Sequence, residues 1–432
     1  MLRFSALLAL LLASGASAQP DSTAAPEARS LGTSVAVLQS PRVPGPRVAL
    51  TLDPSLSSET GSDALIAAHR GLTELEDRYL PARLWREEGV ARKAGGVVYR
   101  LARLALLDEP LAHVTFLAQH EVFGHGARIR EFENVRQGGY EINLPFPYGD
   151  GSGLARFGLD GPITLDQRQI FSHNGSHSTD ILAEDVRESA FRRGRMRQGE
   201  ALLYLHGALD LANYLNTTTV GASGSNDVES WRFVLNDRAA RDGREPLALA
   251  AAQRTTLVAL LDPVLYASAA TVAWSYLAKG DASGPLPIFS VRGAHVMPSV
   301  RMGWSPHGTQ AELALLGSVR GRYARVSARH TLGGPYAAWQ AGAELTPVLT
   351  RGPLALGLSA DVWRSPDLQI HPQNSDAFSM DWGGALTARA DVDLWRGRGG
   401  LRAEIGAKTE GLVRGEEIGA GPIVRLGVFL RA

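Results

Sequence analysis

The second half of the chain alternates apolar and polar residues with a period of two. Residues 386–394 and 401–408 alternate without a break. This alternation is typical of β-strands that have one apolar and one polar face. It predicts about eight strands, near residues 294–304, 310–319, 323–330, 337–345, 354–363, 385–395, 401–409 and 423–431.

The faces of these strands favour a small transmembrane barrel. Leu, Ala and Val form one face, and charged residues such as Arg389, Asp391 and Glu404 form the other. An even number of strands of about 8 to 11 residues fits a barrel with lipid outside and paired charges inside. A soluble β-sandwich is the alternative, because its strands alternate too. The region resembles the C-terminal halves of bacterial outer-membrane β-barrel proteins.

Between residues 60 and 280 the apolar positions recur at three- and four-residue spacing, which predicts helices. The expected helices are 64–75, 98–107, 111–130, 181–192, 201–215 and 247–277. Residues 131–175 interrupt them and predict a lid, a binding loop or a small hairpin, with 144–148 over a substrate cleft. Residues 257–277 are expected to form a buried core helix, with a membrane span as the alternative.

The N-terminus has the pattern of an exported protein. Residues 1–18 combine a positive start, a Leu/Ala-rich run and small residues at 16 and 18, which predicts a cleaved signal peptide. Residues 19–58 are rich in Pro, Ser, Ala and Thr and predict an extended arm. A helical domain at 59–282 and a barrel at 283–432 are expected to follow. The predicted fold class is α+β, a mostly helical N-terminal domain followed by an antiparallel up-and-down β-barrel of about eight strands.

Composition narrows the location and the partners. The 432 residues include 44 Lys and Arg, 44 Asp and Glu, and no Cys. Because the net charge is zero and no local basic patch is found, nucleic acid is excluded as a partner. An exported chain without cysteine must be stabilised by packing, ion pairing or a metal. The expected location is the bacterial outer membrane, with the periplasm as the alternative.

Candidate metal chemistry lies in the segment Gln119–Arg128, which reads QHEVFGHGAR. Its two histidines, His120 and His125, are five positions apart, so a regular helix would place them ~140° from each other. A π-bulge would return both to one face, and Gly124 makes that distortion inexpensive. If the helix stays regular, Glu121 and His125 become the ligands instead, with His120 beside them.

The segment resembles the HExxH motif of zinc metallopeptidases, with one extra residue between the histidines. The resemblance implies that His120 and His125 bind Zn²⁺. It also implies that Glu121 is the general base on a metal-bound water that hydrolyses a peptide bond. His206 and Asp210 are expected to form only a local pair.

A third ligand is expected from the next helix, which Ser176 or Ser178 would cap. His177, Asp180 and Glu184 share one face of that helix. Residues 180–184 are similar to a second acidic motif of some HExxH peptidases. The similarity makes Asp180 the expected third ligand and Glu184 a residue that orients a ligand, and His177 is a further candidate.

The predicted function is therefore that of an outer-membrane-associated, zinc-dependent peptidase. Its partners would be outer-membrane lipid and a peptide or envelope-protein substrate. One alternative is a non-catalytic outer-membrane scaffold in which the histidines are structural. Another is a soluble periplasmic metallohydrolase with a β-sandwich.

Overall fold

A computed structural model describes residues 48–82, 89–221, 226–368, 370, 379–395 and 398–430. The predicted signal peptide and most of the predicted arm lie outside the described residues. The fold class is α+β, because a group of helices packs against one large antiparallel sheet. The last residues of the predicted arm, Val48–Leu52, form a strand of that sheet.

Five of the six predicted helices are present, and most are longer than expected. The predicted helix 247–277 is instead broken before Pro263 with a 65° bend, and the expectation of a buried core helix over 257–277 is wrong because Leu257, Leu261 and Trp274 are exposed. The α-helices are α1 (Ser58–Tyr79), α2 (Val90–Arg103), α3 (Glu109–Ala118), α4 (Gly126–Glu131), α5 (Leu165–Arg193), α6 (Gln198–Thr217), α7 (Asp227–Arg241), α8 (Leu249–Thr255) and α9 (Pro263–Ala270). Three π-helical segments, Leu104–Asp108, Gln119–His125 and Thr271–Ala278, follow α2, α3 and α9, and a 3₁₀ segment, Thr256–Leu261, follows α8.

The long helix α5 begins earlier than the sequence pattern indicated. Thr164 accepts a hydrogen bond from the Gln167 backbone, and the Gln167 side chain accepts one from the Thr164 backbone. This capping box starts the helix at Leu165. The prediction that Ser176 or Ser178 caps the helix is therefore wrong. Both serines lie inside it, and the Ser178 hydroxyl donates to Gln119 O at 2.8 Å.

The predicted irregular region contains a hairpin of β2 (Val135–Ile142) and β3 (Gly153–Leu159). A second small sheet joins β4 (Arg195–Arg197) to β5 (Ser283–Pro285). All eight predicted strands of the large sheet are present. The large sheet contains β1 (Val48–Leu52), β6 (Phe289–Val291), β7 (Ala294–Ser305), β8 (Gly308–Val319), β9 (Arg322–Gly333), β10 (Trp339–Arg351), β11 (Leu354–Pro366), β12 (Met380–Asp393), β13 (Gly399–Lys408) and β14 (Gly421–Leu430).

The large sheet has ten strands in the order β1-β14-β13-β12-β11-β10-β9-β8-β7-β6, and neighbours are antiparallel. Its two edge strands, β1 and β6, do not pair with each other among the described strands, so the expected closed barrel is not observed. Helices pack at both ends of the sheet: α1 lies on β1, and the 3₁₀ segment and α9 lie on β7.

The two faces of the large sheet have opposite character. The face toward the helices is charged and buried, and it includes Arg301, Glu312, Arg325 and Arg402. The other face is apolar and exposed, and six of its residues retain between 46% and 67% of their accessible surface. They are Leu313, Val326, Leu358, Leu386, Ile405 and Leu426.

Helix α5 is buried along most of its length and packs against α1, α6, α7 and the π segment Gln119–His125. The main apolar core joins helices to sheet, because Leu182 and Leu203 belong to the same cluster as Met297 and Leu316. No single described helix is long and apolar enough to cross a membrane. The bent pair Leu249–Leu261 and Pro263–Ala278, with 65° between its members, meets the length and composition requirement only as a pair.

Candidate metal centre

The π segment Gln119–His125 brings the two histidines of the HEVFGH motif together. The centroids of the His120 and His125 rings are 5.0 Å apart. The chain is helical before and after the segment, so the extra residue is absorbed as a π turn. This is the π-bulge arrangement predicted from the spacing, and the regular helix that would have paired Glu121 with His125 is not observed.

Two glycines allow the π segment to lie directly on α5. A Cβ on Gly124 would lie 2.8 Å from Gly175 Cα and 2.6 Å from Ser178 Oγ. A Cβ on Gly175 would lie 2.3 Å from His120 Nε2. Because real Cβ atoms do not approach so closely, any larger residue would separate the helices or displace the His120 ring.

His125 is oriented through the nitrogen that faces away from the centre, and the corresponding nitrogen of His120 lies near a carboxylate without a hydrogen bond. His125 Nδ1 lies 2.9 Å from Phe171 O, and a carbonyl only accepts, so Nδ1 carries a proton and Nε2 is the nitrogen that a metal would bind. His120 Nδ1 lies 3.4 Å from Asp210 Oδ2. Carbonyl and carboxylate partners of this kind commonly orient metal-binding histidines.

The third donor is Asp227, the first residue of α7. Its Oδ2 lies 3.1 Å from His125 Nε2 and 3.7 Å from His120 Nε2. One donor atom each of His120, His125 and Asp227 lies within 4.8 Å of the other two. Two imidazole nitrogens and one carboxylate oxygen are donors that suit Zn²⁺, and three protein ligands leave a fourth position open.

Sequence reasoning missed Asp227 because it missed α7. The apolar positions Val228, Trp231 and Leu235 have helical spacing and are buried, so the helix could have been found. Asn226 before an acidic first turn is also a typical helix start, and its side chain accepts from Glu229 N at 3.0 Å. Asp210 was assigned to a local pair with His206, whereas the structure places it beside His120.

The three residues expected to supply a further ligand lie elsewhere. Asp180 Oδ1 is 3.0 Å from Arg301 Nη1, and Glu184 Oε2 is 2.9 Å from Arg301 Nη2. His177 packs beside His173, with 5.6 Å between ring centroids. The structure does not bring these side chains to His120 and His125, because they lie on the face of α5 toward β7–β9.

Electrostatics at the centre favour charge on all three groups. Burial alone would lower the pKa of His125, but the Asp227 carboxylate outweighs it and raises that pKa. Burial alone would raise the pKa of Asp227, but the imidazoles hold it far below its usual range. A divalent cation held by the same atoms would replace the imidazole protons, so its binding would release protons.

Glu121 lies under the β2–β3 hairpin. Its side chain is buried, and a Cβ on Gly153 would lie 2.7 Å from Glu121 Oε1. The start of β3 therefore rests directly on this carboxylate. Phe157 of β3 contacts Phe171, which stacks on His125 with 5.3 Å between centroids.

The loop at 144–148, expected over a substrate cleft, is the tip of this hairpin. The Tyr148 hydroxyl donates to Leu106 O at 2.9 Å, so the tip leans toward the π segment that follows α2. Phe146 beside it is exposed. The tip therefore exposes the apolar Phe146 side chain to solvent beside the π segment Leu104–Asp108.

No protein-family model, curated protein or solved structure matches this chain. The centre consists of two imidazoles, a carboxylate that faces both, and a second carboxylate, Glu121, next in sequence to His120.

Proposed function

We propose that the chain is a zinc-dependent hydrolase of peptide bonds. The observation that carries the proposal is that one donor atom each of His120, His125 and Asp227 lies within 4.8 Å of the other two. Asp227 Oδ2 lies near Nε2 of both histidines, and His125 Nδ1 lies against a carbonyl. Zn²⁺ held by these atoms would act as a Lewis acid on the scissile carbonyl and lower the pKa of water.

In this proposal Glu121 is the general base. It follows His120 in sequence, and its buried carboxylate lies against Gly153 at the start of β3. A carboxylate placed there accepts a proton from water as the water attacks and then donates it to the leaving amine. Asp210 and Phe171 O orient the two imidazoles.

Metal content and hydrolysis of labelled casein by the purified full chain test this proposal. We expect His125→Ala and Asp227→Asn each to lose one equivalent of zinc relative to the wild type. Glu121→Gln should keep the zinc and lose casein hydrolysis, because it removes the base and keeps the shape. His330→Ala, on an exposed strand position, is the matched control. Unchanged zinc in both ligand variants would contradict the proposal and favour the non-catalytic scaffold.

We propose in addition that the large sheet lies in the outer membrane. Its outward face exposes a continuous set of Leu, Ile and Val side chains, and its charges face inward, as in transmembrane barrels. Exposed apolar surface of this extent on a soluble protein would be an aggregation or interaction surface. Lipid acyl chains cover such a face without any partner protein.

Three helical regions share this inverted polarity. Outward positions are apolar, and inward positions are polar and buried. The outward residues are Leu72 and Leu75 of α1, Val98 and Leu101 of α2, and Tyr266 and Trp274 of α9 and its π extension. The inward residues are Arg70, Thr73, Arg100, Arg103, Ser268 and Thr271.

Buried polar contacts tie these regions together. Arg103 lies 3.0 Å from Asp77 of α1, and Arg100 donates to Leu277 O at 2.9 Å. Because an unpaired sheet edge is costly in hydrocarbon, a membrane location requires the ends of the sheet to be covered. In this proposal the helices and the sheet form one barrel-like wall that faces lipid around its circumference.

Single-cysteine labelling in open membrane fragments tests the location, because the chain has no cysteine of its own. A water-soluble maleimide should label Val220→Cys and spare both Ile405→Cys on the sheet and Val98→Cys on α2. All three should react after denaturation. Equal labelling of all three in membranes would contradict the membrane location. Labelling of Val98→Cys alongside protection of Ile405→Cys would contradict the helical part of the wall.

A further inference from the structure

A second cluster of metal-type donors lies along the same helices as the first. It consists of Glu109 and His113, one turn apart on α3, and His206 on α6. One donor atom of each lies within 4.8 Å of the other two. His206 Nε2 is 3.4 Å from Glu109 Oε1, and the His113 and His206 rings are 5.4 Å apart.

The orientation of His113 indicates a ligand. Its Nε2 lies 2.9 Å from Gly151 O, so Nε2 carries the proton and Nδ1 keeps a lone pair. Nδ1 is buried and has no hydrogen-bond partner in the described part of the chain. A carbonyl fixes the tautomer of His125 in the same way, through its other nitrogen. Buried polar atoms normally have a partner, and a metal ion would supply one here.

We propose that Glu109, His113 and His206 bind a second divalent cation of the zinc class, with Nδ1 the donor of His113. Two imidazoles and one carboxylate repeat the donor types of the first centre. Helix α6 serves both centres, because His206 lies in this cluster and Asp210, one turn later, lies beside His120.

Phe116 separates the two centres. Its ring centroid is 6.0 Å from that of His113, 5.5 Å from that of His206 and 6.2 Å from that of His120. The metals of two-metal catalytic sites lie about 3.5–4 Å apart and act on the same group. An aromatic ring between the clusters prevents that spacing, so each ion would be bound independently.

The second ion would position the hairpin. His113 binds Gly151 O, and two residues later Gly153 rests on Glu121. An ion that fixes His113 therefore fixes the start of β3 over the carboxylate of the first centre. This positioning role rests on the proposed function, whereas binding of the ion does not.

Zinc titration of the chelator-stripped full chain tests the proposal, with Co²⁺ spectra as a second readout. We expect two equivalents in the wild type and in His330→Ala. His113→Ala, His206→Ala and the near-isosteric Glu109→Gln should each bind one, and a His125→Ala/His206→Ala double variant should bind none. Two results would overturn the second site. In the first, all three second-cluster variants bind two equivalents of zinc; in the second, the wild type binds only one equivalent and those variants bind the same amount.

The same titration separates this proposal from the function. If His125→Ala binds as much zinc as the wild type and His206→Ala binds one equivalent less, the proposed first centre fails and the second site stands. If both stand, His206→Ala should raise KM for casein more than it lowers kcat, because the base and the first ion remain while the hairpin loosens. An unchanged KM would overturn the positioning role.

Discussion

Helix α5 packs against two buried polar clusters that differ in what neutralises their carboxylates. At the π segment, Asp227 faces the imidazoles of His120 and His125. On the sheet side, Asp180 and Glu184 face the guanidinium of Arg301. An imidazole can lose its proton to solvent and bind a metal through the freed nitrogen, whereas a guanidinium keeps its proton and its charge in proteins. The partner of a buried carboxylate, more than its acidity, therefore decides whether it can bind a cation.

The sheet-side cluster joins α5 to three strands. Arg301 Nη2 lies 2.9 Å from Glu184 Oε2 and 3.1 Å from Glu312 Oε1, and Arg301 Nη1 donates to Asp180 O at 2.8 Å. Arg325 and Arg329 contact the same Glu184. Arginine and carboxylate satisfy each other here without any ion, which is the arrangement of a structural network.

The largest expected effect follows from breaking this network. Arg301→Met would leave Asp180, Glu184 and Glu312 buried with too little positive charge, which costs about 3–5 kcal/mol of unfolding free energy. Thermal and denaturant unfolding of the purified chain measures the loss. Arg322→Met, at an exposed position at the start of β9, is the matched control and should change little. Equal stability of Arg301→Met and the wild type would show that the network contributes nothing.

The next effect tests the close contact at the π segment. Gly124→Ala places a Cβ 2.8 Å from Gly175 Cα, and backbone cannot yield as a flexible side chain does. We expect a loss of about 1–3 kcal/mol together with weaker zinc binding. Gly71→Ala is the matched control on α1, where nothing lies within 4 Å, and it should be neutral or slightly stabilising. Normal zinc affinity in Gly124→Ala would mean that the His120 and His125 rings keep their positions even when the π segment moves away from α5.

Matched amide variants sharpen the contrast between the two faces of α5. Asp210→Asn weakens the carboxylate partner of His120 Nδ1 and should lower zinc affinity about 10- to 100-fold, as is typical for such orienting groups. Asp180→Asn, the ligand expected from the sequence, should leave zinc affinity unchanged because its side chain faces Arg301. Competition with a chromophoric chelator measures both. Lower zinc affinity in Asp180→Asn and unchanged affinity in Asp210→Asn would indicate that Asp180 is a ligand after all.

The strands and the pairing of His120 with His125 could be predicted from the sequence because both depend on local spacing. Alternation places the eight strands, and the five-residue interval with Gly124 makes a π turn one of two possible arrangements. The third donor depends on a contact between residues 102 positions apart, which no local pattern contains. The placement of Asp180 likewise depends on which face of α5 meets the sheet. The open edges of the sheet could not be predicted either, because alternation within a strand does not show which strands pair.

The effect that is smallest near neutral pH concerns His173, which lies on α5. Burial, assisted by Arg128, lowers its pKa to about 3, whereas the unfolded value is near 6.5. Between these values the unfolded chain binds a proton that the folded chain does not, so stability falls as pH drops from 6.5 toward 3. The slope is at most about 1.4 kcal/mol per pH unit. His173→Gln should reduce this acid loss, and His330→Gln, at an exposed strand position, should not. If unfolding curves between pH 7 and 4 are parallel for His173→Gln and the wild type, His173 is protonated in the folded chain and the interior around it is more polar than its contacts imply.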